Sequence, residues 1–287
     1  MGNKQSKKPG RRRAKMLTPE LMQPYYNITD TYYQNKSLYL IDNEDNKTNL
    51  LIYNTESDTK EKKVIKTRYP LDWGTCIAQL PNGKLFCYGR RDPLSGITLI
   101  VDENGEIEKL PYGWHCSFSS AIYYNNSVYC FGGFDYNQLF LKYSNRFDLV
   151  QKRWITLNDI PKADASCTGI AFKGNILITG HWNTYLLLYS IDINSFSKIP
   201  FDYPKMENKI LVNAGRRLFL IGRLVIYESD TERYTHWRWI TRASAGFDFH
   251  QVNSTYCSGA IYTGYITTKK NFYFKFNLDE KRITELL

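Results

Sequence analysis

Val128-Tyr-Cys-Phe-Gly-Gly133 is a run of β-forming residues that stops on a double glycine, and the step before it, Tyr124-Asn-Asn-Ser127, carries the signature of a tight hairpin. Working outward, the same word recurs as Leu38-Tyr-Leu-Ile-Asp42, Leu85-Phe-Cys-Tyr-Gly89, Ile176-Leu-Ile-Thr-Gly180, Leu218-Phe-Leu-Ile-Gly222 and Ala260-Ile-Tyr-Thr-Gly264. These anchors stand 42 to 48 residues apart. That is the period of a four-stranded propeller blade and is too long for a leucine-rich or ankyrin unit. The expectation is an all-β chain, with six four-stranded antiparallel blades over residues 21–287 behind a disordered basic tail at residues 1–20.

The second unit shows how one blade is built. Cys76-Ile-Ala-Gln-Leu80 reads as its innermost strand, Leu85 to Gly89 as the next, Thr98-Leu-Ile-Val-Asp102 as the third and Glu106-Ile-Glu-Lys-Leu110 as the outer edge. Pro81-Asn-Gly83 turns the first pair, and Lys173-Gly-Asn175 does the same in the fourth unit. The glycines that close the second strands are read as permitting backbone near the central channel that a Cβ would exclude.

Tyrosine alone contributes 23 of the 287 residues, and no segment is long and apolar enough to cross a bilayer. Cys76, Cys87, Cys116, Cys130, Cys167 and Cys257 lie in or beside apolar strand patterns without CxxC spacing. They read as reduced core thiols of a cytosolic protein. The formal charge is +10, of which Lys4, Lys7, Lys8, Arg11, Arg12, Arg13 and Lys15 supply +7. The rest of the chain is nearly balanced. That distribution gives the tail an anionic surface to meet and argues against a propeller gripping nucleic acid.

Met1-Gly2-Asn3-Lys4-Gln5-Ser6 fits the N-myristoylation pattern, which needs an unhindered glycine amine at Gly2 and a Ser at the sixth position. One acyl chain binds a membrane only marginally, and a polybasic segment is a second signal that completes the anchor. The expected location is the cytoplasmic surface of a membrane. Nuclear import through Lys7-Lys8 and Arg11-Arg12-Arg13 is the competing reading of the same residues.

The third unit resembles the Kelch repeat. It carries Gly132-Gly133 after a hydrophobic strand and then Phe147-Asp-Leu-Val-Gln-Lys-Arg-Trp154, an aromatic and a Trp with six residues between them. Degenerate pairs recur as Tyr189 with Phe196, Tyr227 with Tyr234, Phe276 with Ile283, and Ile100 with Ile107. No Trp-Asp dipeptide, the mark of the other propeller repeat of this length, is present. The resemblance implies a six-bladed Kelch-like propeller whose Trp154, Phe196 and Tyr234 pack between blades. It also leaves cytoskeletal proteins possible among protein partners of unknown identity; with no catalytic motif in the chain, no cofactor or small-molecule substrate is expected.

In a propeller, the loops between blades and those between second and third strands open on one face. That face collects Trp73, Arg90, Arg91, Trp114, His115, Phe134, Tyr136, His181, Trp182, Arg223 and Tyr265, with Tyr112, Asp135, Tyr203 and Arg242 beside them. Aromatics and Arg are the residues that dominate binding hot spots, so this is the candidate partner-binding face. For an enzyme, His115, His181, His236 and His250 have no metal-ligand spacing, and HExxH, GxSxG, P-loop and dinucleotide motifs are absent. Some Kelch-like propellers are copper-radical oxidases, and His115 beside Cys116 or His181 near Tyr185 would be the residues for that alternative. A nuclear or nucleic-acid-associated protein using the basic tail is the second.

Overall fold

The computed structural model of the chain describes residues 36–44, 47–67, 71, 74–81, 83–89, 96–114, 116–165, 167–181, 183–203, 209–214, 217–222, 225–230, 234–242, 251–257, 260–266 and 271–286. The tail, with Gly2 and its seven basic residues, lies outside the described residues.

The described chain is an all-β propeller of antiparallel sheets in chain order. β1 (Ser37–Glu44), β2 (Lys47–Asn54) and β3 (Thr59–Val64) form a three-stranded sheet. Five four-stranded sheets follow. The first comprises β4 (Cys76–Gln79), β5 (Leu85–Tyr88), β6 (Thr98–Val101) and β7 (Ile107–Lys109), and the second β8 (Ile122–Tyr124), β9 (Ser127–Phe131), β10 (Ser144–Asp148) and β11 (Arg153–Thr156). The third holds β12 (Thr168–Phe172), β13 (Asn175–Thr179), β14 (Tyr185–Ser190) and β15 (Ser195–Asp202), and the fourth β16 (Ile210–Ala214), β17 (Arg217–Ile221), β18 (Val225–Asp230) and β19 (Arg238–Arg242). The last is β20 (Gln251–Cys257), β21 (Ala260–Ile266), β22 (Asn271–Asn277) and β23 (Arg282–Leu286).

Six four-stranded blades were expected, and the structure corrects this to five among the described residues. The sequence from residue 24 to 35, which the expectation needs for an inner strand of the first unit, lies outside the described residues. Among the described residues β1 stands at the edge of its sheet. It pairs with β2 in an unbroken register from Ser37–Asn54 to Glu44–Lys47, and lies against β20 and β21 of the last blade. On its other side the first sheet shares a core with β5 and β6, in which Tyr39, Ile41, Leu50 and Ile52 meet Leu85, Cys87, Leu99 and Val101. The innermost strands β4, β8, β12, β16 and β20 neighbour one another in turn.

Local chemistry explains the hairpins. Asn125 and Asn126 both take positive φ, as do Lys173 and Gly174, so both two-residue turns carry the twist that antiparallel strands need. Apolar clusters cross from each blade to the next. Trp154 reaches Phe86 and Tyr88 at 6.1 and 4.6 Å between ring centroids, Phe196 reaches Phe131 at 5.8 Å, and Tyr234 reaches Phe172 at 5.0 Å. The expectation that these three rings pack between blades is met.

The spaced pairs divide. Phe147–Trp154, Tyr189–Phe196 and Phe276–Ile283 are directly opposed across β-ladders. Ile100 instead opposes Glu108, and Tyr227 opposes Trp239 beyond a register shift at Ile226. Five cysteines, Cys76, Cys87, Cys116, Cys130 and Cys167, are buried free thiols; the side chain of Cys257 lies outside the described residues.

Candidate functional site

Two loops bring exposed apolar side chains together. Ten large apolar side chains are exposed among the described residues, and six of them are Tyr112, Trp114, Tyr136, Leu139, Phe140 and Tyr143. They sit on residues 110–121, between β7 and β8, and on residues 132–143, between β9 and β10. The loops touch. Ser117 and Phe134 exchange backbone hydrogen bonds of 3.0 and 2.8 Å, Phe118 meets Phe134 edge-on at 5.8 Å, and Trp114 packs on Tyr143 at 5.2 Å.

Residues 133–141 form a rigid miniature hairpin. Asp135 Oδ1 accepts from the amides of Asn137 and Leu139, both at 2.8 Å. Asp135 N donates to Leu139 O, and Gln138 turns the chain at φ 62°. The turn follows from an Asp whose short carboxylate satisfies amides two and four residues on. Tyr136 and Leu139 are thereby held outward, 66% and 61% exposed, without being left to flexible backbone. A preorganised apolar surface of this kind loses little entropy when a partner covers it.

Of the residues expected on this face, Trp114 and Tyr136 are exposed. Phe134 is half-buried as a prop between Phe118 and Phe140. His181 is also half-buried, and its main chain is what the neighbourhood uses: its N donates to Ala165 O and its O accepts from Lys209 Nζ at 3.2 Å. Tyr203, read as a loop residue, is instead in the core, where its hydroxyl meets Thr179 Oγ1 and donates to Tyr185 O. Trp73, Arg90, Arg91, His115, Trp182 and Arg223 lie outside the described residues, as do the side chains of Arg242 and Tyr265. The sequence reading missed Leu139, Phe140 and Tyr143. The run Leu139-Phe-Leu-Lys-Tyr143 was the available signal, and it resembles an ordinary buried strand.

Among the described residues, no group of three His, Cys, Asp or Glu side chains is placed to hold a metal ion. Burial pushes the Cys116 thiol up to about 11, so it is held as a neutral thiol beside Tyr88. Tyr185 lies under the Lys198 ammonium at 4.7 Å, and desolvation raises its phenol.

Behind the hairpin lies a buried polar seam. Lys209 is 2% exposed, with its ammonium over the Tyr203 ring at 5.4 Å. Desolvation pushes its amine down to about 8, against the opposing pull of Asp164. A lysine whose folded value lies below its ordinary 10.5 binds fewer protons folded than unfolded between those limits. Its contribution to stability therefore rises with pH from about 8 towards 10.5, by up to roughly 3 kcal/mol. Buried Cys and Tyr groups with raised values pull the other way at high pH, so the comparison must be with a variant. The difference in urea-derived stability between the native chain and Lys209→Met is expected to shift in favour of the native chain across that window. A pH-independent difference contradicts the assignment.

No protein-family model matches the chain. A propeller that presents aromatic loops on one face defines the class, and a comparison with curated proteins agrees with it. The chain is 30% identical over 131 residues to Kelch-like protein 41b of Danio rerio, a match covering 44% of this chain and 21% of that protein. It thus spans about a fifth of the relative's length. The propeller topology and this similarity agree with the resemblance to the Kelch repeat read from the sequence.

Proposed function

We propose that the chain is a non-catalytic protein-interaction module that docks a partner on the loops at residues 110–121 and 132–143, and that its tail holds the complex at a cytoplasmic membrane surface. The observation that carries the docking half is the cluster of six exposed apolar side chains on two mutually braced loops. Exposed apolar side chains gathered on adjoining loops mark interaction sites on proteins. The similarity to a Kelch-like protein supports the same class of role. The tethering half rests on Gly2, Ser6 and seven basic residues, each worth roughly 1 kcal/mol near anionic lipid.

Proximity labelling separates the two halves. A Tyr136→Ala/Leu139→Ala double variant alters only exposed side chains. It is expected to weaken partner binding by roughly 2 kcal/mol, about thirty-fold, and to lose labelled proteins. Gly2→Ala is expected to keep the docking partners and lose the membrane-resident set. An unchanged labelled set in the double variant removes this surface from consideration.

A further inference from the structure

We infer that Asp164 is the positioning residue of the docking surface: it fastens both legs of the 132–143 hairpin to the neighbouring blade and so fixes where Tyr136 and Leu139 stand. Its importance for binding rests on the docking reading above. The geometry stands independently of that reading.

Asp164 sits in the connection between β11 and β12, in Pro161-Lys-Ala-Asp-Ala165, and is fully buried. Its main chain ties both legs of the hairpin: Gly133 N donates to its carbonyl at 2.8 Å, and its own amide donates to Leu141 O at 3.1 Å. Its carboxylate reaches the next blade, where Oδ2 accepts from Asn183 N at 3.1 Å; Oδ1 accepts from Ala165 N at 2.9 Å. Room for this carboxylate depends on Gly180, since a Cβ there would lie 2.2 Å from Oδ2.

One residue thus joins the hairpin of one blade, through its main chain, to the β13–β14 loop of the next, through its carboxylate. Lys209 then links that loop to the entry of the blade after, through the His181 carbonyl. A carboxylate this deep is costly to desolvate, and amide donors together with a cation offset that cost only in one arrangement. Among the described residues, Lys209, Cys167, Tyr203 and Tyr185 lie within electrostatic reach of it, and of these Lys209 is the cation. A buried charge satisfied this way acts as a locating pin, because displacement of either loop strands it.

Amide hydrogen exchange on the full-length chain tests this without a known partner. Asp164→Ala is expected to speed exchange in residues 132–143 and 181–184 by roughly ten- to a hundred-fold, with β1–β3 unchanged as the internal reference. Asp164→Asn, which keeps one carbonyl acceptor, is expected to restore part of the protection. Gly180→Ala leaves Asp164 in place but displaces its carboxylate, and is expected to loosen the same two segments. A uniform rise across all sheets, or unchanged protection of the hairpin, overturns the inference. If the hairpin loosens while the labelled partners persist, Asp164 retains its positioning role and the docking reading fails.

Discussion

Gly132→Ala is expected to cost roughly 2–5 kcal/mol and to disorganise the docking hairpin. Gly132 takes φ +64°, in the left-handed region where an L side chain costs roughly 1–2 kcal/mol. Space adds a second penalty. A Cβ on Gly132 would lie 2.3 Å from the Asp164 carbonyl oxygen and 3.1 Å from Cys167 Sγ. The thiol could shift, but the carbonyl is backbone and already accepts the Gly133 amide, so relief requires moving the hairpin's own support. Overpacking of this kind typically costs about 1–3 kcal/mol. Gly174→Ala supplies the control: its φ is +71°, yet a new Cβ would meet only Tyr124 Oη among the described residues, at 3.9 Å. It should lose only the conformational part, about 1–2 kcal/mol. Equal losses for the two variants in urea denaturation contradict the steric argument, and intact exchange protection at Leu139 and Leu141 contradicts its location.

That glycine also shows what could be read from the chain before its fold was known. The repeated strand ending on glycine reports a local event, a backbone that must pass close to another, and it was legible because only one residue type tolerates it. Hairpin turns were legible for the same reason, through Asn125-Asn126 and Lys173-Gly174. Cross-strand partners were legible only where four residues join the paired strands, as at Phe147–Trp154, Tyr189–Phe196 and Phe276–Ile283. Five residues join β6 to β7 and seven join β18 to β19, so Ile100 meets Glu108 and Tyr227 meets Trp239, and a fixed spacing has no means of registering the longer connections. In the first sheet β1 has the pattern of a second strand, and the sequence before it, where an inner strand was expected, lies outside the described residues. At the candidate site, Trp114 and Tyr136 announced themselves as aromatics in loops. Leu139, Phe140 and Tyr143 did not, since apolar side chains in a short run are ordinarily buried. Asp164 carries no motif. Its role exists only through contacts with residues on three different elements, which a linear reading cannot assemble.

Phe147→Ala is expected to lose roughly 3–5 kcal/mol, the range for emptying a buried aromatic site. Phe147 is fully buried on β10, with its ring 5.4 Å from Phe86 of the preceding blade and 5.1 Å from Trp154. It therefore serves the joint between two blades and the seat of Trp154 together. Trp154 in turn supports the docking surface: its Nε1 donates to Pro111 O at 3.1 Å, and its ring leaves no space for a Cβ on Gly113, which would stand 2.6 Å away. Tyr112 and Trp114 flank that glycine, so a vacancy beneath Trp154 propagates to both. Phe147→Leu retains most of the apolar volume and should cost under about 1.5 kcal/mol. Trp154→Phe keeps a ring in the joint but forfeits the bond to Pro111, a net loss of about 1 kcal/mol from hydrogen bonding. Chemical denaturation should rank the three as Phe147→Ala most damaging, then the two conservative variants. Exchange of the amides in residues 110–121 should rise in Trp154→Phe even though its global stability is nearly kept. If that loop stays protected while only global stability falls, the aromatic joint holds the blades together without setting the surface above them.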